Sequence, residues 1–316
     1  MKVGYFLSSE EHGPNELVGQ AQMAEEAGFE ALWISDHFHP WNDVQGNSPF
    51  VWSTIGGIAA TTGLPITTAV TCPTVRIHPL IIAQAAATAS LMTDGQFQLG
   101  LGSGEALNEH VLGDPWPNAT KRLAMLKEAI ELMRLMFDED VVSFDGDFYT
   151  VDDARLYTKP DGRVPIYVSG FGNKAIDLAA EVADGFISTK LRPEDVDRYR
   201  LQGGRGPAQG GYKVSWAPTE DEGVKVAHEF WAHSQLGGEL AQVLPSPKHF
   251  EQAAENADIQ SAREHVVCGP DMDRHLKRIL EYRDAGYDEI YISQMGRDQA
   301  GFFEAYQRDV LPQLAL

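Results

Sequence analysis

Short apolar runs alternate along the chain with longer segments whose apolar positions recur at helical spacing. The clearest helical stripe consists of Leu123, Leu126, Ile130, Met133 and Phe137. This spacing places the five side chains on one face and predicts an amphipathic helix packed on a sheet. Eight apolar runs have the length and composition of strands. They span residues 3–6, 31–34, 66–71, 97–101, 166–169, 185–189, 212–216 and 289–293.

A weak internal repeat supports this alternation. Residues 27–35 read AGFEALWIS, residues 285–293 read AGYDEIYIS, and residues 183–188 read ADGFIS. In each copy a helix is predicted to end, a glycine takes the left-handed cap position, and a strand begins. Repeated helix-to-strand units predict parallel strands with helical crossovers. Eight of them predict an α/β fold of the (β/α)8 TIM-barrel type, in one domain over 1–316. An open doubly wound sheet is the alternative.

Two segments do not fit the repeating unit. Residues 144–149 alternate and carry an Asp-Gly turn, which predicts a hairpin among insertions at the C-terminal face of the barrel. Residues 201–211 contain five glycines, and we expect a mobile loop there. No Gly-x-Gly-x-x-Gly motif follows the first strand, which counts against a Rossmann dinucleotide site.

Charge and composition narrow the function. The 316 residues include 25 Lys and Arg and 46 Asp and Glu, so the formal net charge is −21. This balance argues against nucleic-acid or anionic-membrane partners, because both require a basic face. The two cysteines provide neither a disulfide framework nor a cysteine-based zinc cluster. With no predicted signal peptide or membrane span, we expect a soluble cytoplasmic protein.

Ionisable residues follow the second and fourth predicted strands. In a barrel the active site lies at the carboxyl ends of the strands, so His37 and Glu105 are candidates for acid–base work. The neighbouring Asp36 and nearby aromatic residues favour a near-neutral pKa for His37. A histidine and a glutamate on opposite sides of a pocket suit proton removal at one point and proton donation at another.

His37 and His39 also have the spacing of half a metal site, as in barrel metallohydrolases. Such a site needs further His or Asp ligands from other strands. The fifth, sixth and eighth strands instead end in Ser169, Thr189 and Gln294, so we predict no metal. His39 is then expected to be structural.

Two further features each have a functional and a structural interpretation. Trp41, in a polar loop, is either a wall for a stacked ring or a loop anchor. Residues 169–173 (SGFGN) lead into a predicted helix over 174–182, where backbone N–H groups and the helix N-terminus favour an anion such as phosphate. Glycine-rich turns of this kind also occur without a ligand.

Together these segments resemble the glucose-6-phosphate dehydrogenase-like branch of the luciferase-like oxidoreductases, which uses the deazaflavin coenzyme F420. The resemblance is carried by segments 35–41 (SDHFHPW), 73–76 (PTVR), 104–109 (GEALNE), 145–149 (DGDFY), 183–187 (ADGFI) and 230–232 (FWA). It is nearly continuous up to about residue 190 and patchy beyond. It implies a TIM-barrel enzyme that transfers a hydride from a sugar or related alcohol to F420. An FMN-dependent monooxygenase of the same superfamily, and a non-catalytic cofactor-binding protein, are the alternatives.

The resemblance also implies roles for single residues. His37 corresponds to the base that takes the proton from the sugar's anomeric hydroxyl as hydride leaves for C5 of the deazaflavin. Glu105 corresponds to the acid that protonates the reduced cofactor at N1, and Trp41 to a tryptophan of the reaction pocket. Residues Ala69 and Val70 correspond to a non-prolyl cis peptide that backs the ring. The other cofactor-binding positions are Asp36, Cys72, Asn108, Ser169, Gly170, Phe171 and Gly172.

The substrate side departs from the branch. Glu10, Thr189 and Lys190 correspond to substrate-binding positions, with Lys190 or Arg192 in place of a lysine. A second lysine of the phosphate pocket falls near Ala241, and its arginine falls near Glu264, beside Arg263. Fewer cations weaken the binding of a phosphate, so a neutral sugar or another alcohol is the expected substrate. The resemblance also implies a homodimer.

Overall fold

The computed structural model describes residues 1–314, so the last two residues of the predicted domain lie outside the described part. Its strands are β1 (Lys2–Leu7), β2 (Leu32–Ile34), β3 (Ile66–Thr68), β4 (Phe97–Leu101), β5 (Val142–Asp145), β6 (Thr150–Ala154), β7 (Ile166–Ser169), β8 (Gly185–Ser188), β9 (Ala208–Ser215), β10 (Val267–Cys268) and β11 (Glu289–Gln294). Eight of them form a parallel sheet in the order β9-β11-β1-β2-β3-β4-β7-β8, and β8 pairs with β9 to close it. The predicted barrel is confirmed, and closure excludes the open sheet.

The remaining strands lie outside the closed barrel. β5 and β6 form the antiparallel hairpin that the Asp-Gly turn predicts. Glu128 holds its turn by accepting backbone hydrogen bonds from Asp147, Phe148 and Tyr149 at 2.8–2.9 Å. β10 was not predicted; it pairs in parallel with the end of β9.

Helices cover the outside of the barrel. They are α1 (Pro14–Ala27), α2 (Val51–Ala59), α3 (Pro79–Met92), α4 (Ala106–Glu109), α5 (Ala119–Asp138), α6 (Asn173–Val182), α7 (Pro193–Leu201), α8 (Glu220–Trp231), α9 (Leu240–Val243), α10 (Pro247–Ala254), α11 (Ile259–His265), α12 (Met272–Asp284), α13 (Gln299–Ala305) and α14 (Leu311–Leu314). In α5, the predicted stripe is buried from Leu126 to Phe137 and packs into the main core. Over residues 1–314, no helix has the length and apolar character needed to cross a membrane.

Aromatic side chains fill the inside of the barrel and form the floor of its mouth. Trp33 stacks on Tyr291 with the ring centroids 4.4 Å apart, and Phe6 packs edge-on against Trp33 at 5.5 Å. Tyr167 and Ile187 complete this buried cluster. Because the interior is packed, a ligand has room only above this layer, at the carboxyl ends of the strands.

The prediction of a mobile loop over residues 201–211 is wrong for the C-terminal part of this segment. Gly210 and Gly211 are buried members of β9. A Cβ on Gly211 would lie 2.2 Å from the Trp33 ring, and one on Gly210 would lie 2.7 Å from the Tyr282 ring. These glycines make room for neighbouring aromatic rings rather than supplying flexibility.

Candidate active site

The predicted site residues gather at the open end of the barrel, above the aromatic floor. The half-buried side chains around this mouth are His37, Trp41, Ala69, Val70, Glu105, Ser169 and Lys213. Glu10 lies just after β1 and is 3% exposed. The loops after four successive barrel strands, β1 to β4, therefore supply one group of polar and apolar side chains.

His37 is paired with Glu10. The imidazole Nε2 lies 3.3 Å from Oε1 of Glu10, and Oε2 of Glu10 accepts hydrogen bonds from Ser35 at 2.7 Å and Ser8 at 3.1 Å. Burial alone would raise the pKa of Glu10, but His37, Lys213 and the Ser35 hydroxyl lower it to about 2. Glu10 is therefore a carboxylate that stabilises positive charge on His37.

The other ring nitrogen of His37 has both an acceptor and a donor beside it. Nδ1 lies 3.2 Å from the carbonyl oxygen of His39 and 3.0 Å from Nδ2 of Asn108. A protonated Nδ1 can donate to the carbonyl, and a deprotonated one can accept from the amide. The ring can therefore gain or lose a proton without leaving Nδ1 unpaired.

Asn108 joins His37 to Glu105. Its Oδ1 accepts the backbone N–H groups of Phe38 at 2.8 Å and His39 at 3.0 Å, which fixes the orientation of the amide. Its Nδ2 then faces both His37 Nδ1 and Oε1 of Glu105. One side chain thus brings together the two predicted proton-transfer residues, whose roles stay predictions.

Trp41 forms an aromatic wall together with two residues that the sequence did not single out. Its indole stacks on His233 at 5.2 Å and meets Phe250 edge-on at 5.0 Å. The His37 ring lies 5.1 Å from Trp41. Burial, together with the charge of Lys213, lowers the pKa of His233 to about 3, so this ring is neutral. Phe250 belongs to the insertion after α8, which covers this side of the mouth.

Asp36, Arg76 and Glu109 form a buried ion-pair network. Arg76 Nη2 lies 2.9 Å from Oδ1 of Asp36, whose Oδ2 accepts a hydrogen bond from Thr71 at 2.8 Å. Glu109 accepts the backbone N–H of Arg76 at 2.8 Å, and burial raises its pKa to about 7 despite that bond and the Arg76 charge. Asp36 is thus held within the protein, and its cofactor contact stays a prediction.

The peptide between Ala69 and Val70 is cis, as the resemblance implies. Cys72 follows it with a buried thiol, 3.0 Å from the Thr74 hydroxyl, and burial raises the thiol pKa. Gly104 has a φ of 79°, and a Cβ there would lie 2.4 Å from the sulfur. Cys72 therefore packs closely under the turn that carries Glu105.

The segment from Ser169 to Gly172 ends β7 and caps α6. Within residues 1–314, the backbone N–H groups of Phe171 and Gly172 have no protein acceptor and face an exposed surface. Lys190 is exposed and its ammonium lies 5.3 Å from the Phe171 ring. Lys190 is therefore beside the predicted phosphate segment, while Thr189 lies exposed at the end of β8.

Arg263, next to the expected position of a phosphate-binding arginine, is already paired. Arg263 lies 2.6 Å from Asp221 and 3.6 Å from Glu220, both in the first turn of α8. Glu264 is exposed beside it, and Ala241 lies on the short helix α9.

His39 connects two loops instead of completing a metal site. Its Nδ1 lies 3.0 Å from the carbonyl oxygen of Leu107, and its backbone N–H donates to Asn108. In the part of the chain that the structure describes, no three His, Cys, Asp or Glu side chains are grouped as metal ligands.

Sequence reasoning missed Lys213 and Glu11. Lys213 is a lone lysine in a strand, and its ammonium lies 4.5 Å from the Phe6 ring and 4.0 Å from the Trp231 ring. Glu11 is buried and accepts hydrogen bonds from Trp231 Nε1 and the Gly296 N–H, each at 2.7 Å. A charged residue at an inward strand position was the available signal for Lys213.

Residues 1–289 match the family described as luciferase-like monooxygenase. The chain belongs to this family. It is 34% identical to an F420-dependent glucose-6-phosphate dehydrogenase of Microbacterium testaceum, over 99% of this chain and 97% of that protein. A protein with the same description from Amycolatopsis mediterranei is 35% identical, over 99% of this chain and 98% of that protein.

Solved structures show the same fold. An F420-dependent secondary alcohol dehydrogenase, in complex with an F420-acetone adduct, is 30% identical and superposes with a TM-score of 0.91 over 98% of both chains. The F420-dependent tetrahydromethanopterin reductase of Methanopyrus kandleri shares the fold, with a TM-score of 0.77 at 19% identity. The predicted membership of the luciferase-like oxidoreductases is confirmed.

Proposed function

We propose that this protein is an F420-dependent dehydrogenase that oxidises the CH–OH group of an alcohol. The observation that carries this proposal is the connected group at the barrel mouth: Glu10, His37, Asn108 and Glu105. It contains a base with a charge-stabilising partner and a second carboxyl linked to it. The full-length relatives named above are F420-dependent dehydrogenases of a sugar phosphate and of secondary alcohols.

The residues present fit the cofactor. Ala69 and Val70 offer a half-buried apolar surface at the mouth, and the free N–H groups of Phe171 and Gly172 suit a phosphate. The ammonium of Lys190, 5.3 Å from the Phe171 ring, adds positive charge beside that segment. When bound, F420 supplies a deazaflavin ring whose C5 accepts a hydride.

His37 is the group that removes the hydroxyl proton of the substrate. Nε2 accepts this proton next to the Glu10 carboxylate, which stabilises the imidazolium formed. Nδ1–H is then held by the carbonyl oxygen of His39. Both nitrogens of the charged ring have acceptors, so the charge forms in a prepared environment.

Glu105 is the acid in this proposal, and its proton is the one that the reduced cofactor receives. Its carboxyl accepts a hydrogen bond from Asn108 and would supply a proton to the cofactor when F420 is bound. Because Asn108 is fixed by the backbone N–H groups of Phe38 and His39, it keeps Glu105 oriented relative to His37. Trp41 closes one side of the reaction pocket and excludes water from it.

The substrate is a sugar or related alcohol that reacts at its C1 hydroxyl and carries no phosphate. Arg263, beside the expected position of a phosphate-binding arginine, is paired with Asp221 and Glu220. Glu264 adds a further negative charge there, which disfavours a phosphate dianion. Thr189, with Glu10, is a substrate contact in this proposal.

The protein acts as a homodimer in the cytoplasm. An apolar surface of α2 and α3 exposes Phe50, Ile81 and Met92, at 56%, 53% and 45%. Within residues 1–314 the buried indole nitrogen of Trp52, which lies in this surface, has no hydrogen-bond partner. Both features suit a face that is covered by a second copy.

The test is a titration of the purified protein with oxidised F420, followed by turnover with an alcohol. We expect quenching of deazaflavin fluorescence at micromolar cofactor and reduction of the cofactor on addition of substrate. A parallel titration with FMN, with oxygen consumption as readout, tests the monooxygenase alternative. Absence of F420 binding, or oxygen-consuming turnover with FMN, would overturn the proposal.

A further inference from the structure

Lys213 lies on the inner face of β9. Gln209, two positions before Gly211, accepts a hydrogen bond from the Trp33 indole at 3.0 Å inside the barrel. The Trp33 ring occupies the space into which a side chain at position 211 would point, so this position also faces the inside of the barrel. Because side chains alternate along a strand, Lys213 is the next inward residue, one layer closer to the carboxyl end. It therefore reaches the mouth just above the aromatic floor.

The ammonium of Lys213 has aromatic neighbours but no oxygen acceptor. It lies 4.5 Å from the Phe6 ring and 4.0 Å from the Trp231 ring, and both contacts suit a cation over a π-system. Across residues 1–314, no side-chain or backbone oxygen lies within hydrogen-bond distance of it. Lys213 is half-buried, so its three N–H donors are available to a molecule that enters the mouth.

Other polar atoms without partners lie on this same side of the mouth. Ser293 is the register neighbour of Lys213 on β11, and Ser215 is the next inward residue of β9. His233 is 7% exposed and packs on the face of Trp41. In the described chain, the two serine hydroxyls and His233 Nδ1 are buried without a hydrogen-bond partner. Buried polar atoms are normally paired, so these atoms mark a polar environment on this side of the mouth, where water or a hydroxyl group can be bound.

The charges around Lys213 favour a neutral ligand. Glu10 is a carboxylate already bonded to His37, Ser8 and Ser35, and it compensates the ammonium charge at longer range. Glu11 is also near, and burial raises its pKa to about 7. Because Glu10 carries a negative charge near Lys213, an anionic group would meet repulsion as well as attraction there, whereas a hydroxyl would not.

We propose that Lys213 and His233 form a subsite that binds a second hydroxyl of the substrate, which makes the substrate a neutral polyhydroxy alcohol. This inference rests on the proposed function and specifies its substrate class. In this arrangement the reacting hydroxyl binds at His37, beside Glu10, and the second hydroxyl binds at Lys213 and His233, next to Trp231. An alcohol with a single oxygen leaves the subsite unfilled.

The first experiment compares alcohols with the wild-type protein. Reduction of F420 is followed with glucose, glucose 6-phosphate, lactate and 2-propanol. We expect kcat/KM for glucose to exceed that for each of the other alcohols by about 10-fold or more. A hydrogen bond to a charged group contributes enough free energy to produce a ratio of this size. A preference for 2-propanol or lactate would overturn the subsite while leaving F420-dependent dehydrogenation intact.

The second experiment tests the residues. Lys213→Met removes the ammonium, and His233→Phe keeps the stacking on Trp41 but removes the ring nitrogens. We expect each variant to raise KM for glucose by about 10-fold or more, and to lower kcat/KM for glucose by about 10-fold more than it lowers kcat/KM for 2-propanol, which reports any effect on the Glu10–His37 pair. Lys213→Arg should restore part of the lost affinity. Lys225→Met, on the exposed face of α8, is the matched control.

Two results would contradict the subsite. An equal loss with glucose and 2-propanol would mean that Lys213 acts through the Glu10–His37 pair and not on the substrate. An unchanged KM for glucose in both variants would also overturn it. The F420 dissociation constant, measured by fluorescence, separates these cases from a failure of cofactor binding. If Lys213→Met does not fold, the wild-type comparison and His233→Phe still decide.

Discussion

The two sides of the barrel mouth differ in how their polar groups are satisfied. On the side built by the loops after β1 to β4, Glu10, His37, Asn108 and Glu105 are bonded to one another or to the backbone. On the side built by β9, β11 and the insertion after α8, polar atoms of Ser215, Ser293 and His233 are buried without protein partners in the described chain, and the Lys213 ammonium contacts two aromatic rings.

This difference fits the two tasks proposed for the two sides. Proton transfer needs groups that are already oriented, and hydrogen bonds within the protein provide that order. Substrate selection needs donors and acceptors that stay free until the substrate arrives. The sequence resemblance is continuous on the first side and patchy on the second, which agrees with a common reaction and a changed substrate.

The largest effect on activity is expected from a substitution in the hydrogen-bonded group on the first side. His37→Ala removes the proposed base while Glu10, Asn108 and Glu105 remain. We expect kcat to fall by about 100- to 10,000-fold, with the F420 dissociation constant changed by less than about 2-fold. Stopped-flow reduction and fluorescence titration measure the two quantities.

The control for this variant is His249→Ala, which alters an exposed histidine on α10 and should leave both quantities unchanged. A loss of cofactor affinity above about 10-fold in His37→Ala would show that His37 holds the cofactor and does not act on the substrate.

Glu11 follows β1 on the first side and is hydrogen-bonded to residues of the second side. Its protonation state is therefore expected to affect the stability of the fold that joins the two sides. Its carboxyl accepts hydrogen bonds from Trp231 Nε1 and the Gly296 N–H, and burial raises its pKa from 4.5 to about 7. A raised pKa means that the folded state binds the proton more tightly. The stabilisation is complete below about pH 4.5 and is lost as pH rises through about 7.

Glu11→Gln removes this titration. Between about pH 5 and about pH 8, the wild type should lose roughly 1–3 kcal/mol more unfolding free energy than the variant. Urea denaturation at the two pH values measures it, with Glu229→Gln on the exposed face of α8 as the control. Parallel pH dependence in the wild type and Glu11→Gln would show that Glu11 is already ionised in the folded protein.

The sequence predicted the barrel because strand and helix periods repeat locally. All eight strand runs were found, with boundaries shifted by a few residues at most at their ends. Gly210 and Gly211 were misinterpreted because their reason lies in Trp33 and Tyr282, which are distant in sequence. Composition alone does not distinguish a glycine that is needed because an aromatic ring packs against the backbone from a glycine in a flexible loop.

The site shows the same limit. Motifs identified His37 and Glu105, since both follow strands and match a family pattern. The pairing of Arg76 with Asp36, and the position of Lys213 between Phe6 and Trp231, depend on contacts between different strands. Such contacts leave no local pattern in the chain, so they required the structure.

The smallest expected effect concerns Arg263, which lies beside the position where the resemblance places a phosphate-binding arginine. In this chain its guanidinium is bonded to Asp221 and Glu220. If it has no part in substrate binding, Arg263→Ala should change KM for glucose 6-phosphate by less than about 2-fold, and inorganic phosphate should inhibit the wild type poorly. Initial-rate measurements with and without phosphate test this, and Arg308→Ala, at a distant exposed pair with Asp309, is the control. Strong competitive inhibition by phosphate that disappears in Arg263→Ala would place a phosphate site on the second side and restore a sugar phosphate as the substrate.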